Sequence, residues 1–428
     1  MHKEELLHFV WKKGLFPGKS LITTNGIELD VIHPGEENLH AGPDFFNARI
    51  RLGRLVWAGN VEIHRFASDW NKHGHQLDPA YDNVILHVIY HFDTIVRNSK
   101  GRQIPSLVVD RSDSFMERVD ELRKNESWIP CSSYIHNVPA RILKSWINTL
   151  SAERMALKVA NVSRLLARPE YDRLQVLYLT LASGFGLPIN NLPFEMLASG
   201  IPLSLLLEIR DNLNDLEAVL FGSSGLLHSV SYDEGYVHSL KHRYKHIMKE
   251  FPGKPVPEFL WKFHRIRPAS FPTLRLSQFA SLIHTQFPLD IDQIRTWSLS
   301  EIENKLKVNA SKYWNTHYTF GRPSPFLIKK FGRQAATHLL INAFIPFLKA
   351  CHEEDQKKRV FSAEHELFQN LEAESNHIVK NWIKFGLSPC SAFESQALIQ
   401  LYKGYCIKRR CSECGIGRVI FGAEVHEK

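Results

Sequence analysis

The chain has 428 residues, of which 44% are hydrophobic and 23% charged, a composition typical of a folded protein with two or three domains. No apolar run approaches the roughly 18 residues of a membrane span, and the N-terminal segment carries charges, so we expect neither a membrane anchor nor a secretory signal. Six cysteines do not make a disulfide scaffold at this length, and we expect a cytoplasmic protein with reduced or metal-bound thiols. The net charge of +8 favours acidic partners.

The first elements in chain order are a helix and then a group of strands. Apolar side chains in residues 4–13 recur with helical spacing, and Gly14 ends the run. After it the pattern changes to short β-rich segments separated by Gly, Pro, Asn and Asp. The predicted strands are 27–33, 45–52, 55–64, 83–91 and 104–110.

From residue 117 onward the pattern is helical, and frequent prolines divide it into short segments. The predicted helices are 139–167, 171–184, 202–221, 237–250, 274–286, 333–350, 361–385 and 392–405. We therefore predict an α+β chain: a mixed sheet with a flanking helix, then a mostly α-helical region that ends in a cysteine cluster. The predicted domains are 1–125, 126–386 and 387–428.

Acidic residues stand at the open end of a predicted hairpin. Asp44 precedes the first strand, Gly53-Arg54 forms a tight turn, and the returning strand carries Glu62 and His64. Side chains alternate along a strand, so Glu62 and His64 share a face, and the hairpin returns them to Asp44. Two carboxylates suit a hard divalent cation such as Mg²⁺ or Mn²⁺. Such an ion lowers the pKa of a bound water and stabilises charge on a leaving oxygen.

The register of this hairpin leads to a further prediction. A two-residue turn pairs Asp44 with Ile63, which places Asp44 on the opposite face from Glu62. A bulge or bend near Pro43, or a longer loop, restores a common face, and we predict such an irregularity. The alternative is that Asp44 caps a turn and Glu62 is a solvated strand residue.

Four histidines lie within a short span just after these carboxylates. His73-x-His75 has the spacing of a zinc chelate, with His64 or Asp69 as a third ligand. The alternative is that both line the same cleft as the carboxylates. His87 lies in a strongly apolar strand, where we expect a hydrogen-bonded core histidine.

Pro43-Asp44 followed by Glu62-x-His64 resembles the PD-(D/E)XK motif of nucleases, with histidine where that superfamily usually has lysine. Residues 70–75 also resemble the Trp/His cluster of very-short-patch mismatch-repair endonucleases. The resemblance implies that His64 takes the lysine's place near the attacking water. Histidine near neutral pH can be a base, a ligand or neutral, whereas lysine is a permanent cation.

The resemblance also implies a mechanism for the carboxylates. Asp44 and Glu62 would be metal ligands, the carbonyl of Ile63 a third, and Glu4 or Glu5 of the first helix an outer ligand. In-line attack by a metal-bound water on DNA would then leave a 5′-phosphate. The candidate catalytic residues are Asp44, Glu62, His64, His73 and His75.

The chain as a whole resembles an uncharacterised bacterial family of unknown function, over nearly all of its length. This likeness implies one intact architecture and no particular activity. The segments that carry it are 42–45, 59–64, 70–75, 265–275 and 405–417.

Three cysteines cluster near the C-terminus, in the pattern Cys406-x4-Cys411-x2-Cys414. Tetrahedral zinc requires four ligands, and Cys390, just before the same predicted helix, is the expected fourth. An iron–sulfur cluster would use the same thiolates. The remaining alternative is a set of free thiols.

Basic residues are concentrated between 236 and 275. Aromatic and cationic residues alternate in 261–275, which suits a nucleic-acid backbone and base stacking and equally suits a buried loop with internally paired arginines. The basic residues are Lys241, Arg243, Lys245, Lys249, Lys254, Lys262, Arg265, Arg267 and Arg275.

Three functions are compatible with these patterns. The leading hypothesis is a metal-dependent nuclease that acts on DNA. The second is a nucleic-acid-binding or scaffold protein that keeps the fold without the chemistry. The third is a histidine-ligated zinc hydrolase with another substrate.

Overall fold

The computed structural model divides the chain into two compact units. The first comprises residues 1–150, 377–388 and 397–428, and the second comprises 151–376 and 389–396. The C-terminal residues 397–428 therefore group with the N-terminal sheet, whereas the sequence suggested a separate segment from 387. The described residues are 3–16, 21–109, 113–228, 230, 235–251, 253–355, 363–411 and 413–421.

The first unit is built around a seven-stranded mixed sheet. Its order is β1-β2-β4-β5-β6-β7, with β3 paired to β4. The strands from β1 to β5 pair antiparallel, whereas β5, β6 and β7 run parallel. The strands are β1 Leu21–Ile22, β2 Glu28–His33, β3 Glu36–Glu37, β4 Phe45–Leu52, β5 Leu55–Phe66, β6 Val84–His91 and β7 Ser106–Val108.

Helices follow, as predicted, so the α+β organisation is confirmed at this level. No described helix is both long and apolar enough to cross a membrane. The helices are α1 Lys3–Lys13, α2 Asp69–Lys72, α3 Asp113–Lys124, α4 Ala140–Leu166, α5 Arg173–Phe185, α6 Leu187–Gly200, α7 Leu203–Glu208, α8 Leu213–Ser223, α9 Gly235–Ile247, α10 Pro272–Gln286, α11 Ile291–Ile294, α12 Leu299–Lys305, α13 Arg333–Leu339, α14 Ile345–Glu354, α15 Ala363–Asn370, α16 His377–Lys384, α17 Ala392–Gln400 and α18 Gly415–Ile420.

Both faces of β5 are buried where the sheet changes from antiparallel to parallel. Val61 and Ile63 lie in an apolar core with Trp11 of α1. Because side chains alternate along a strand, Glu62 and His64 point to the opposite face, and both are nevertheless buried. A strand with two covered faces thus carries an acid and an imidazole on one of them.

The hairpin of β4 and β5 contains the predicted irregularity. Leu52 pairs with Leu55, as the two-residue turn requires, but the register shifts between Ala48 and Phe45. Two residues of β4 oppose one of β5 there, and Asn47 adopts a φ of 57°, the left-handed conformation that Asn tolerates better than most residues. The bulge moves every residue before it by one position, which restores Asp44 to the side of Glu62.

The second unit departs from the sequence prediction at proline and at helix caps. Pro193 was expected to interrupt the chain, but it lies inside α6, which bends at Asn190 (φ −116°). The segment predicted as one helix over 202–221 is two helices, because the Asn212 side chain accepts a hydrogen bond from the Asn214 amide and begins a new one. The predicted helix 361–385 is likewise divided, into α15 of the second unit and α16 of the first.

Two small elements remain, a hairpin in the second unit and a π-helical segment in the first unit, directly after α17. The hairpin is formed by β8 His317–Thr319 and β9 Arg322–Pro323. The π-helical segment Leu401–Cys406 ends at one of the clustered cysteines. Such widened turns inside helices are frequent at functional sites.

Candidate active site

The bulge brings Asp44 and Glu62 together, and each carboxylate accepts a hydrogen bond from a backbone amide of the neighbouring strand. The Asp44 amide donates a hydrogen bond to Glu62 Oε2 (3.1 Å), and the Ile63 amide donates one to Asp44 Oδ2 (2.8 Å). The Glu62 side chain is 6% exposed and that of Asp44 is 23% exposed. The alternative in which Glu62 is a solvated strand residue therefore does not describe this structure.

The pair is short of positive charge. Burial, and then the charge of Glu62, raise the pKa of Asp44 from 3.8 to about 7. Burial is also the main cause that raises the pKa of Glu62, and Glu4 of α1 adds to the effect on both groups. His8 Nε2 lies 3.5 Å from Asp44 Oδ2, and its electrostatic effect lowers the pKa of Asp44. A bound cation would reverse this repulsion.

Two imidazoles approach the other oxygen of Glu62, and a third approaches one of these two. His75 Nε2 lies 3.3 Å and His64 Nε2 3.5 Å from Glu62 Oε1. His64 Nε2 is 3.1 Å from His73 Nδ1. Candidate ligand atoms of the three histidines all lie within 4.8 Å of one another. Among the predicted catalytic residues, the structure thus assembles all five in one place.

The segment after β5 positions two of these imidazoles. Trp70 of α2 is fully buried, and its indole nitrogen donates to the Arg97 carbonyl (2.9 Å). The chain then turns at Gly74, whose φ of 79° suits glycine, and the His75 ring stacks on Tyr81 at 3.8 Å between centroids. A buried anchor and a tight turn therefore return His75 to the sheet.

Asp69, the alternative third ligand for zinc, has other partners. Its carboxylate accepts a hydrogen bond from the Phe66 amide (2.9 Å) and pairs with Lys72 (2.7 Å). Of the two predicted candidates, His64 is the one that joins the histidine group.

His87 lies behind His64, as a second layer. It is fully buried, and its Nε2 shares a hydrogen bond with His64 Nδ1 (2.9 Å), which fits the expected hydrogen-bonded core histidine. Burial, followed by the neighbouring histidines, lowers the pKa of His64 to about 2, and burial lowers that of His87 to about 3. His64 is therefore neutral at pH 7, and it can act as a ligand but not as the cation that lysine provides.

The clustered cysteines lie elsewhere in the first unit. Cys406, Cys411 and Cys414 line one small cavity, and the fourth cysteine on its wall is Cys131. Cys390, the expected fourth ligand, is exposed and belongs to the second unit. The sequence offered no signal for Cys131, because it stands alone and far from the other three in the chain.

The basic stretch is only partly available to a ligand. Arg275 is buried, and its guanidinium lies 4.9 Å from the centre of the Phe331 ring. Arg243 pairs with Asp215 at 2.6 Å. The exposed basic residues of the loop after Trp261 are Lys262, His264, Arg265 and Arg267.

The comparisons with known proteins identify the family alone. A family model described as "Protein of unknown function (DUF2851)" matches residues 4–377, which include every residue of the acidic and histidine cluster. No curated protein matches the chain. No solved structure matches it either.

Proposed function

This chain belongs to the DUF2851 family, and we propose that it is a metal-dependent nuclease that hydrolyses phosphodiester bonds, with DNA as its substrate. The observation that carries the proposal is the contact of Asp44 with Glu62 at the open end of one hairpin. A β-bulge produces this contact, and the hairpin would separate the two side chains without it.

The arrangement suits the chemistry of phosphodiester hydrolysis. Asp44 and Glu62 would hold a divalent ion, which supplies charge stabilisation at the phosphate and activates water. His64 and His75 lie beside Glu62 and offer ring nitrogens as metal ligands or proton acceptors. Glu4 faces the same carboxylates and fits the role of an outer ligand from the first helix.

The mixed donor set favours certain ions. Carboxylate oxygens alone suit Mg²⁺, whereas oxygen together with imidazole nitrogen suits Mn²⁺ or Zn²⁺. We therefore expect Mn²⁺ to support cleavage better than Mg²⁺. Because His64 provides no permanent cation, the metal must supply the positive charge that lysine supplies in the motif this hairpin resembles.

Charge outside the site is consistent with a nucleic-acid substrate. The chain carries a net charge of +8, and the second unit exposes Arg265 and Arg267 beside His264. His264 also lines a cleft of about 530 Å³, together with Phe263 and Phe271. Cations next to aromatic rings can contact phosphates and stack on unpaired bases.

Cleavage of supercoiled plasmid and single-stranded DNA tests the proposal, with Mn²⁺, Mg²⁺ or Zn²⁺ supplied in turn. Asp44→Asn and Glu62→Gln keep the size of each side chain, and both variants should lose cleavage. Asp30→Asn is the matched control, because Asp30 lies on the same sheet with its carboxylate exposed and paired to Arg51. Failure of the wild-type protein to cut any of these substrates, or cutting by both site variants, refutes the nuclease. DNA binding without cleavage supports the scaffold alternative.

The convergence of three imidazoles specifically favours a second candidate, a histidine-ligated zinc hydrolase. His73 is the exposed member of the group, so His73→Ala should remove a histidine-bound zinc without disturbing the core. Zinc that is lost in this variant but kept in Asp44→Asn, in a protein that does not cut DNA, would favour that function. A variant without Cys411 separates this metal from any bound by the cysteines.

A further inference from the structure

Four cysteines in the first unit surround one cavity. Cys131, Cys406, Cys411 and Cys414 line one small cavity, whose remaining walls are mostly apolar. All four sulfurs are free of disulfides. This cluster is separate from the acidic and histidine site, and nothing in the proposed hydrolysis uses it.

Local turns place each sulfur at the cavity. Cys131 begins a turn in which its carbonyl accepts a hydrogen bond from the Tyr134 amide (3.0 Å), and Cys406 ends the π-helical segment. Cys411 and Cys414 enclose one turn, closed by the Cys414 amide on the Cys411 carbonyl (3.3 Å). Cysteines from two distant parts of the chain therefore line the same cavity.

The backbone around the C-terminal turn is built for close approach. A Cβ on Gly417 would lie 1.9 Å from the Cys411 carbonyl oxygen, so only glycine fits there. Arg409 has a φ of 50°, and its guanidinium donates to the carbonyls of Leu122 and Asn125 (3.2 Å each). This arginine joins the C-terminal turn to the segment that leads to Cys131.

Without a bound metal these groups are held as neutral thiols, and burial disfavours the thiolate form. Burial, with the nearby cysteines adding to it, raises the pKa of Cys131 to about 12 and that of Cys411 to about 11. Burial, and then Cys414 and Cys131, also raise the pKa of Cys406. Arg409 and Lys13 partly offset this rise by lowering the pKa of Cys411. Metal binding would displace the thiol protons and remove the repulsion among the sulfurs, so the case for a metal rests on the shared cavity.

We propose that Cys131, Cys406, Cys411 and Cys414 form a four-thiolate metal centre that links the C-terminal segment to the rest of the first unit. The centre is structural and does not depend on the nuclease proposal. Its ligand set replaces Cys390, the residue favoured by chain proximity, with Cys131.

The spacing of the sulfurs favours an iron–sulfur cluster over a single zinc ion. Four thiolates about 2.3 Å from one zinc stand about 3.8 Å apart. Among the described side chains, three histidines have ligand atoms within 4.8 Å of one another. The four cysteines do not form such a close group. They surround a cavity instead. A cluster held by four cysteines keeps its thiolates farther apart than a single zinc ion does, because each thiolate binds a different iron or shares one with only one other thiolate.

The test is the metal and sulfide content of the full chain, purified without oxygen. We expect iron and acid-labile sulfide in equal amounts, about two or about four of each per chain, with visible absorbance, as for a cluster held by four cysteines. Cys131→Ser should lose most of the metal, whereas Cys390→Ser and Cys351→Ser, the two other cysteines, should retain it. About one zinc per chain with the same dependence would keep the four ligands and overturn the cluster.

Absence of metal from the wild-type protein overturns the proposal. Metal that persists in Cys131→Ser but is lost in Cys390→Ser overturns it too. If Cys131→Ser does not fold, X-ray absorption at the metal edge of the wild-type protein decides: four sulfur ligands support the centre, and nitrogen or oxygen ligands contradict it.

Discussion

Replacing Asp44 with asparagine should stabilise the metal-free protein at alkaline pH. The carboxyl has a pKa of about 7 in the folded chain and 3.8 as its ordinary value. Because the folded state holds this proton more tightly, its contribution to stability is complete below pH 4 and is lost as the pH rises through 7. Three pKa units correspond to at most about 4 kcal/mol, and we expect roughly half of that because Asp44 and Glu62 share the effect.

Thermal unfolding of the full chain in the presence of a chelator, followed at the transition of the first unit from pH 5 to pH 8, measures this effect. Relative to the wild type, Asp44→Asn should gain roughly 4–8 °C in midpoint at pH 8 for about 2 kcal/mol, and less than half of that at pH 5, where the loss has only begun. Asp30→Asn should show no such trend, because that carboxylate is exposed. Added Mn²⁺ should reverse the order by stabilising the wild type alone. An Asp44→Asn protein that is no more stable than the wild type at pH 8 refutes the electrostatic argument.

Three further predictions follow from the same geometry. Asn47→Val should destabilise the protein by about 1–2 kcal/mol, since a β-branched residue disfavours a positive φ. It should also weaken Mn²⁺ binding, because the bulge at Asn47 places Asp44 beside Glu62; unchanged Mn²⁺ affinity in calorimetry would contradict this. His87→Ala should lower metal affinity about 10–100-fold by freeing His64 to rotate, and equal affinity would show that the hydrogen bond does not orient the ligand. Arg267→Ala should weaken DNA binding and reduce its salt dependence, whereas Arg275→Ala should lower the melting temperature. Weaker DNA binding in Arg275→Ala but not in Arg267→Ala would show that the buried arginine contacts DNA.

Much of the hairpin was predictable, because its physics is local. Alternating apolar residues and a Gly53-Arg54 turn fix the register from Leu52 and Leu55 onward. The bulge was predictable only as a requirement, since Asp44 could not otherwise join Glu62. Its position at Asn47 depends on which residue accepts a positive φ within the completed sheet.

The less local features were predictable only in part or not at all. The convergence of His64, His73 and His75 follows from a short excursion between neighbouring strands, so spacing alone suggested it. Cys131 gave no such signal, because a contact between distant segments depends on the whole fold. Cys390 was chosen by chain proximity, and the structure places it in the other unit.

The position of a bound Mn²⁺ ion tests the central claim most directly. Anomalous diffraction from crystals of the full chain grown with Mn²⁺ would locate it. The account predicts a peak bounded by the carboxylates of Asp44 and Glu62, with a neutral imidazole beside it, and no peak there in Glu62→Gln. Well-ordered crystals without Mn²⁺ at these carboxylates, or a peak that persists in Glu62→Gln, would contradict it.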